Sequence, residues 1–267
     1  MTGTGVLTTA LFVPADRPER FAKAAASGAD AIVVDLEDAV APAAKDAARQ
    51  ALPAHLPATL PVLVRVNAAG TPWHDGDVAL VVARPGLGLM LPKAEDPDRV
   101  AALGRRLGPG RALVPLIETA LGIHRAVDIA RAAGVTQLAF GPADYCNDIG
   151  SDDGPEALLL ARSTLVLASR LGNLPAPLDG PCFDFRDPAR TGDEARHARG
   201  LGFGGKLAIH PAQVPWIEAA FAPGEAEIAW ARRVVAAGGE GGAAGVGGSM
   251  VDAPVVARAR RILARGG

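Results

Sequence analysis

Apolar residues recur along this chain in two alternating rhythms. Short unbroken runs, of which Ala31–Asp35 (AIVVD) is the clearest, have the continuous hydrophobicity of strands buried on both faces. Longer stretches between them place apolar residues three and four positions apart, the spacing of an amphipathic helix, as Phe21, Ala24 and Ala25 do. Strands are predicted at Val6–Val13, Ala31–Asp35, Val62–Val66, Leu87–Leu91, Ala112–Ile117, Gln137–Phe140, Pro177–Asp179 and Lys206–Ile209. Helices are predicted at Pro18–Ser27, Ala43–Leu52, Asp75–Ala83, Asp96–Leu107, Ile123–Ala132, Pro155–Leu171, Pro188–Leu201 and Pro211–Ala220. Strict alternation implies a parallel sheet with right-handed crossovers, and eight such repeats close naturally into a barrel. The expected fold class is therefore α/β, a (β/α)8 TIM barrel spanning residues 1–220. An open doubly wound sheet is the alternative, but no GxGxxG motif opens a helix to support it.

The remainder, 221–267, falls outside the eightfold pattern. It reads as a helix at Glu225–Ala237, a stretch from Gly238 to Ser249 with seven glycines, and a last helix at Ala253–Arg265. The glycine-rich stretch is expected to be a mobile hinge, and the terminal helix a lid or an arm exchanged between subunits.

The 267 residues suit one such barrel, and 49% apolar residues supply its core, drawn mainly from Ala, Val, Leu and Ile because aromatics are only 4%. A formal net charge of -2 argues against a nucleic-acid partner or a membrane surface. The two cysteines, Cys146 and Cys182, form no CxxC or Cys/His zinc pattern. Neither an HExxH zinc motif nor a GxSxG nucleophile elbow is present. With no secretion signal and no membrane-length apolar run, a cytoplasmic location is expected.

In such barrels chemistry resides at the C-terminal ends of the strands, and polar residues collect there. The second strand ends in Asp35-Leu36-Glu37-Asp38, the third carries Arg65 and Asn67, and the fourth ends in Pro92-Lys93. The fifth ends in Glu118-Thr119, the sixth runs into Gly141-Pro142-Ala143-Asp144, the seventh ends at Asp179 and the eighth at His210. Glu118 and Asp144 are candidate ligands of a divalent cation, which would relieve the repulsion between two close carboxylates. Their alternative role is to cap the following helices. Arg65, inside an apolar strand, needs an anion: a structural pair with Glu37 or Asp38, or a substrate carboxylate. Asp35, Glu37 and Asp38 either orient metal-bound water and Arg65 or form a solvated strand end. His210 is expected to line the mouth, whereas His55, His74, His124 and His197 read as surface or loop residues, and Cys146 as packing. Asp252 reads as an N-cap of the terminal helix.

Several segments together carry a family resemblance. They are Leu11–Phe21 (LFVPADRPERF), Asp35–Val40 (DLEDAV), Arg65-Val66-Asn67, Leu91-Pro92-Lys93, Ile117–Ala120 (IETA), Phe140–Asp144 (FGPAD), Gly202–Lys206 (GFGGK), Ile209–Gln213 (IHPAQ) and Met250–Val255 (MVDAPV). In this order they resemble the citrate lyase β-subunit-like branch of the aldolase/citrate lyase family, alongside the malyl-CoA and citramalyl-CoA lyases. The resemblance implies a magnesium-dependent lyase that cleaves a β-hydroxyacyl-CoA to acetyl-CoA and a 2-oxo acid, assembled as a homotrimer or homohexamer. It implies magnesium on Glu118 and Asp144, substrate oxygens on Arg65, CoA phosphates near Arg17 and Lys23, and Asp252 reaching a neighbouring subunit's site. Asp38 stands where relatives that act without CoA carry His, which places the chain with the CoA-ester branch. Tyr145 and the Ser151–Glu156 loop depart from many relatives and leave the acyl group open. A thioesterase, a malate-synthase-like condensing enzyme and a non-catalytic CoA-binding protein are the competing readings.

Overall fold

The computed structural model describes residues 5–238, 244–246 and 249–265. Its contacts divide the chain into two units, Met1–Glu218 and Ala219–Gly267.

The first unit is a closed barrel of eight parallel strands in chain order. The strands are β1 Thr9–Pro14, β2 Ala31–Asp35, β3 Val62–Arg65, β4 Leu87–Leu91, β5 Leu113–Ile117, β6 Ala139–Phe140, β7 Leu178–Asp179 and β8 Gly205–Ala208, with β8 pairing back onto β1. Around them lie α1 Phe21–Ala25, α2 Lys45–Ala51, α3 His74–Val82, α4 Pro97–Leu107, α5 Ala120–His124, α6 Ala126–Arg131, α7 Pro142–Ile149, α8 Leu159–Leu171, α9 Pro188–Leu201 and α10 Val214–Phe221. The expected α/β barrel is thus the fold.

The differences from the apolar pattern have local causes. The sixth strand begins at Ala139 rather than at Gln137, whose side chain leaves the ladder. Its amide instead joins the Leu7 backbone, at 3.1 and 3.0 Å, to the Ala176 carbonyl at 2.8 Å. The expected Ile123–Ala132 helix is two helices that meet at Arg125, a residue off the helical backbone. Helix α7 follows the sixth strand where no separate helix was expected; Pro142 starts it and Gly150, at φ 70°, ends it.

The barrel interior is packed with Ala10, Val33, Leu63, Met90, Leu116, Ala139 and Leu207, among others. Side chains alternate in direction along a strand. Two residues beyond Val33, Leu63 and Leu116, the same inward phase reaches Asp35, Arg65 and Glu118 at the C-terminal rim. The packing that fills the barrel therefore aims these charged groups into its mouth.

The second unit contains α11 Glu225–Gly238, the antiparallel pair β9 Ala244–Val246 and β10 Ser249–Val251, and α12 Ala253–Arg265. Its core is Ala231, Val234, Ala259 and Ile262, with Trp230 and Leu263 packed against them. Of the expected hinge, residues 239–243 and 247–248 lie outside the described residues. The pairing of 244–246 with 249–251 makes the rest of it a two-stranded ribbon rather than free coil. Among the described residues no helix is long and apolar enough to cross a membrane.

Candidate active site at the barrel mouth

A cavity of about 360 Å³ opens at the C-terminal rim, lined in part by Phe12, Asp35, Asp38, Arg65, Glu118 and Asp144. Arg65 is its most tightly held member. Its Nε and Nη2 donate to the two carboxylate oxygens of Asp35, at 2.8 and 2.6 Å. Nη1 lies 3.2 Å from Glu37 and 3.6 Å from Asp38, and the guanidinium stacks over Phe12 at 4.9 Å. The principal partner is therefore Asp35, the residue opposite Arg65 in the β2–β3 ladder, rather than Glu37 or Asp38. Burial alone would lower the Arg65 pKa. The Asp35 hydrogen bonds and the charges of Glu37 and Asp38 hold it above the usual arginine value.

The loop after β2 is fixed from several sides. Asp35 accepts hydrogen bonds from the backbone N–H groups of Glu37, at 2.9 Å, and Ala39, at 3.1 Å. The buried Lys45 ammonium donates to the carbonyls of Leu36 and Glu37, at 2.8 and 2.5 Å, and lies over the Trp73 ring. The Asn67 amide donates to the Leu36 carbonyl and to Asp77. His74 closes this layer; it is buried, with Nδ1 2.8 Å from the Asn67 carbonyl, and not on the surface as expected. Glu37 is held nearly buried, with its Oε2 lacking a hydrogen-bond partner. Burial raises its pKa above the usual carboxylate range, against the pull of Arg65.

Glu118 is 1% exposed. It does not cap the helix after it. Thr119 does, accepting from the Gly122 N–H at 3.0 Å. The Glu118 carboxylate instead accepts the Lys93 backbone N–H at 2.8 Å. Gly141 leaves the space it occupies, since a Cβ there would clash with its Oε2. Burial and the nearby charges of Glu37 and Asp144 push the Glu118 pKa up to about 8, despite Lys93. A carboxylate so enclosed asks for more positive charge than one lysine supplies. Asp144, in the first turn of α7, is about a third exposed. Both acids lie within 4 Å of the Lys93 ammonium, Glu118 at 3.8 Å and Asp144 at 3.6 Å.

Among the described residues no three His, Cys, Asp or Glu side chains converge as a metal cage. Two carboxylates with an open side fit an ion that keeps several waters and takes the rest of its oxygens from substrate, as magnesium does. The structure thus brings Glu118, Asp144, Arg65 and Asp38 into one mouth, with Glu37 buried behind it against Arg65 and Lys93.

Other expected site residues lie elsewhere. Arg17 and Lys23 are exposed on the connection after β1, and neither lines this cavity. Asp179 is fully buried against Arg162, at 2.9 Å, and Lys206, at 3.0 Å, and does not line the mouth. His210 also misses the mouth; it caps the Pro211–Gln213 turn and stacks on Phe185 at 5.1 Å. Asp252 caps α12, accepting from the Val255 N–H at 3.2 Å. The position of Asp252 was expected to be a neighbour's site, which lies outside a single chain.

No spacing along the chain assigns a role to Lys45 or Lys93. Lys45 carried a signal: it shares the buried stripe of its helix with Ala48, just before the buried Leu52, an odd place for an ammonium. Lys93 carried only its place at a strand end.

A closed parallel barrel whose core phase delivers an arginine and several acids to one mouth has the build of an enzyme. The HpcH/HpaI aldolase/citrate lyase family model matches residues 8–211. A citrate lyase subunit β-like protein of Mycobacterium tuberculosis is 40% identical, over 96% of this chain and 94% of that protein. A (3S)-malyl-CoA thioesterase of Cereibacter sphaeroides is 33% identical, over 96% of this chain and 91% of its own. The crystal structure of CitE from M. tuberculosis in complex with magnesium, acetoacetate and coenzyme A superposes with a TM-score of 0.88, at 37% identity, over 99% of each chain. This chain belongs to the HpcH/HpaI aldolase/citrate lyase family.

Proposed function

We propose that this protein is a magnesium-dependent lyase that cleaves a small β-hydroxyacyl-CoA, of the malyl-, citramalyl- or citryl-CoA type, to acetyl-CoA and a 2-oxo acid. The observation that carries this reading is the convergence of Glu118 and Asp144 beside an Arg65 already pinned by Asp35. Glu118 and Asp144 would hold Mg2+, which when bound supplies Lewis acidity to the substrate's hydroxyl and carboxylate oxygens. Magnesium and acetoacetate in the M. tuberculosis CitE complex support that choice of ion.

The chain's own residues divide the remaining work. Arg65, its fork fixed by Asp35, turns its Nη1 edge, which also faces Glu37 and Asp38, to the substrate's acyl oxygens, where negative charge grows as the enolate leaves. Glu37, nearly buried, holds the Arg65 and Lys93 cations from behind the mouth. Asp38, mostly exposed and lining the cavity, takes the proton of the β-hydroxyl. As the C–C bond breaks, its electron pair becomes the thioester enolate and the hydroxyl carbon becomes the ketone. A proton must then reach the enolate carbon, and Asp252 from a neighbouring subunit's C-terminal segment is the donor. Arg17 and Lys23 meet the phosphates of CoA. The assembly is a homotrimer or homohexamer.

The test is cleavage of malyl-CoA and citramalyl-CoA by the purified chain with Mg2+, with EDTA, and as Glu118→Ala. Turnover is expected with Mg2+ and a loss of about 10³-fold or more in the other two; full activity in EDTA sinks the metal role. The thioesterase relative favours one second reading, hydrolysis of the thioester at the same mouth. Product analysis separates them. A lyase releases acetyl-CoA and a 2-oxo acid, whereas a thioesterase releases free CoA and the intact hydroxy acid.

A further inference from the structure

Lys93 stands at the centre of the acid cluster and is built there at a cost. It is one of two non-glycine residues with positive φ among those described, at 48°. A lysine gains nothing by itself in the left-handed region, so the surroundings must impose it. They do so through both ends of the residue. The backbone N–H donates to Glu118 Oε1 at 2.8 Å. The ammonium, at the other end, donates to Glu37 at 3.1 Å and faces Glu118 and Asp144 at 3.8 and 3.6 Å. The long distances matter. The ammonium is hydrogen-bonded to Glu37 alone, and to the other two acids it is a charge held within 4 Å of each. A magnesium ion held by both acids needs their oxygens about 2.1 Å away and so would compete with the ammonium for the space beside them.

We propose that Lys93 is a tethered cation that holds the Glu118–Asp144 gap in the metal-free protein and is displaced from it when the divalent metal binds. This rests on the metal reading above. Two cations cannot share a space bounded by oxygens less than 4 Å from the ammonium without strong repulsion. The lysine has an exit: its side chain is 36% exposed, and Glu37 keeps a partner for it when it moves. Before loading, its charge keeps two repelling carboxylates spaced for the ion. After loading, its displaced ammonium remains beside Glu37. The consequence is a metal that binds more weakly, and exchanges faster, than the two carboxylates alone would allow.

The experiment uses Mn2+ as the probe, its binding followed by loss of the free-ion signal in electron paramagnetic resonance. It compares the full-length protein with Lys93→Met, Lys93→Arg and Glu118→Gln. Lys93→Met is expected to bind Mn2+ at least tenfold more tightly, Lys93→Arg about as the wild type does, and Glu118→Gln not measurably. The melting temperature of metal-free Lys93→Met should fall and recover with Mn2+. A second measurement needs no variant: trace acylation of wild-type Lys93, read by mass spectrometry, should run severalfold faster with Mn2+ because the amine has lost two carboxylate partners. Unchanged or weaker Mn2+ binding by Lys93→Met, with Glu118→Gln still abolishing it, overturns the displacement and leaves the metal site standing. Acylation that is unchanged or slowed by Mn2+ overturns it equally. No Mn2+ binding by the wild type overturns both readings.

Discussion

The residues that make this mouth reactive are few, and most of the surrounding polar groups exist to hold them. Lys45 illustrates the division. Its ammonium is buried and spends its hydrogen bonds on the Leu36 and Glu37 carbonyls, fixing the loop that presents Glu37 and Asp38. It touches no part of the cavity, so it is a positioning residue. Lys45→Met keeps the apolar stem and removes the donors. The two carbonyls then lose a charged partner, which costs about 1–3 kcal/mol. If the loop sets the geometry of Asp38, kcat should fall about tenfold while the protein stays folded, as small displacements of catalytic groups do. Thermal melts and steady-state kinetics on the same preparation check both. A lowered melting point with unchanged kcat would confine Lys45 to stability.

At the scale of elements, the barrel is tied to its helices by buried charge as well as by apolar packing. Asp179 on β7 joins Lys206 on β8 to Arg162 on α8, all at most 8% exposed. Burial alone would raise the Asp179 pKa, but Lys206 and Arg162 hold it below the usual carboxylate range. A depressed folded pKa contributes stability above the ordinary carboxylate range, and loses it as pH falls through the folded value. Asp179→Asn should therefore cost about 3 kcal/mol at neutral pH, near the low end for a broken buried pair because Glu194 still reaches Lys206. The gap between variant and wild type should close as pH drops below about 4. Urea melts at several pH values test this; a gap that is constant with pH would mean that the charge of Asp179 contributes nothing. The same triad shows where sequence reading stopped. Periodicity located all eight strands because buried parallel strands are continuous apolar runs, and two of them, β2 and β4, match to the residue. It placed Arg65 and Glu118 correctly at the rim. It also counted Asp179 with the mouth, since a two-residue strand does not reveal which way its last side chain faces. The roles of Lys93 and Lys45 depend on a backbone turn and on contacts from other elements, which no spacing along the chain encodes.

For the whole molecule, the open question is whether one chain makes a complete site. The barrel supplies Arg65, Asp38, Glu118 and Asp144, but the proposed proton donor, Asp252, belongs to the second unit. Within its own chain Asp252 has an ordinary task, capping α12 through the Val255 N–H. Capping and proton delivery can be separated, because Asn caps helices about as well as Asp but cannot deliver a proton. Asp252→Asn should keep the melting temperature and lose most of kcat. If Asp252 acts on a neighbour's barrel, this variant and Glu118→Gln are inactive for complementary reasons. A hybrid oligomer then contains sites with an intact Glu118 from one chain and an intact Asp252 from the next. Random 1:1 mixing of subunits should restore about a quarter of wild-type activity over all oligomers, and about a third in hybrid trimers freed of the inactive homo-oligomers. Co-expression of the two variants with different tags, followed by tandem purification and assay, makes the measurement. Hybrids as inactive as their parents would show that Asp252 does not serve a neighbour, and full activity of Asp252→Asn alone would leave it only its cap.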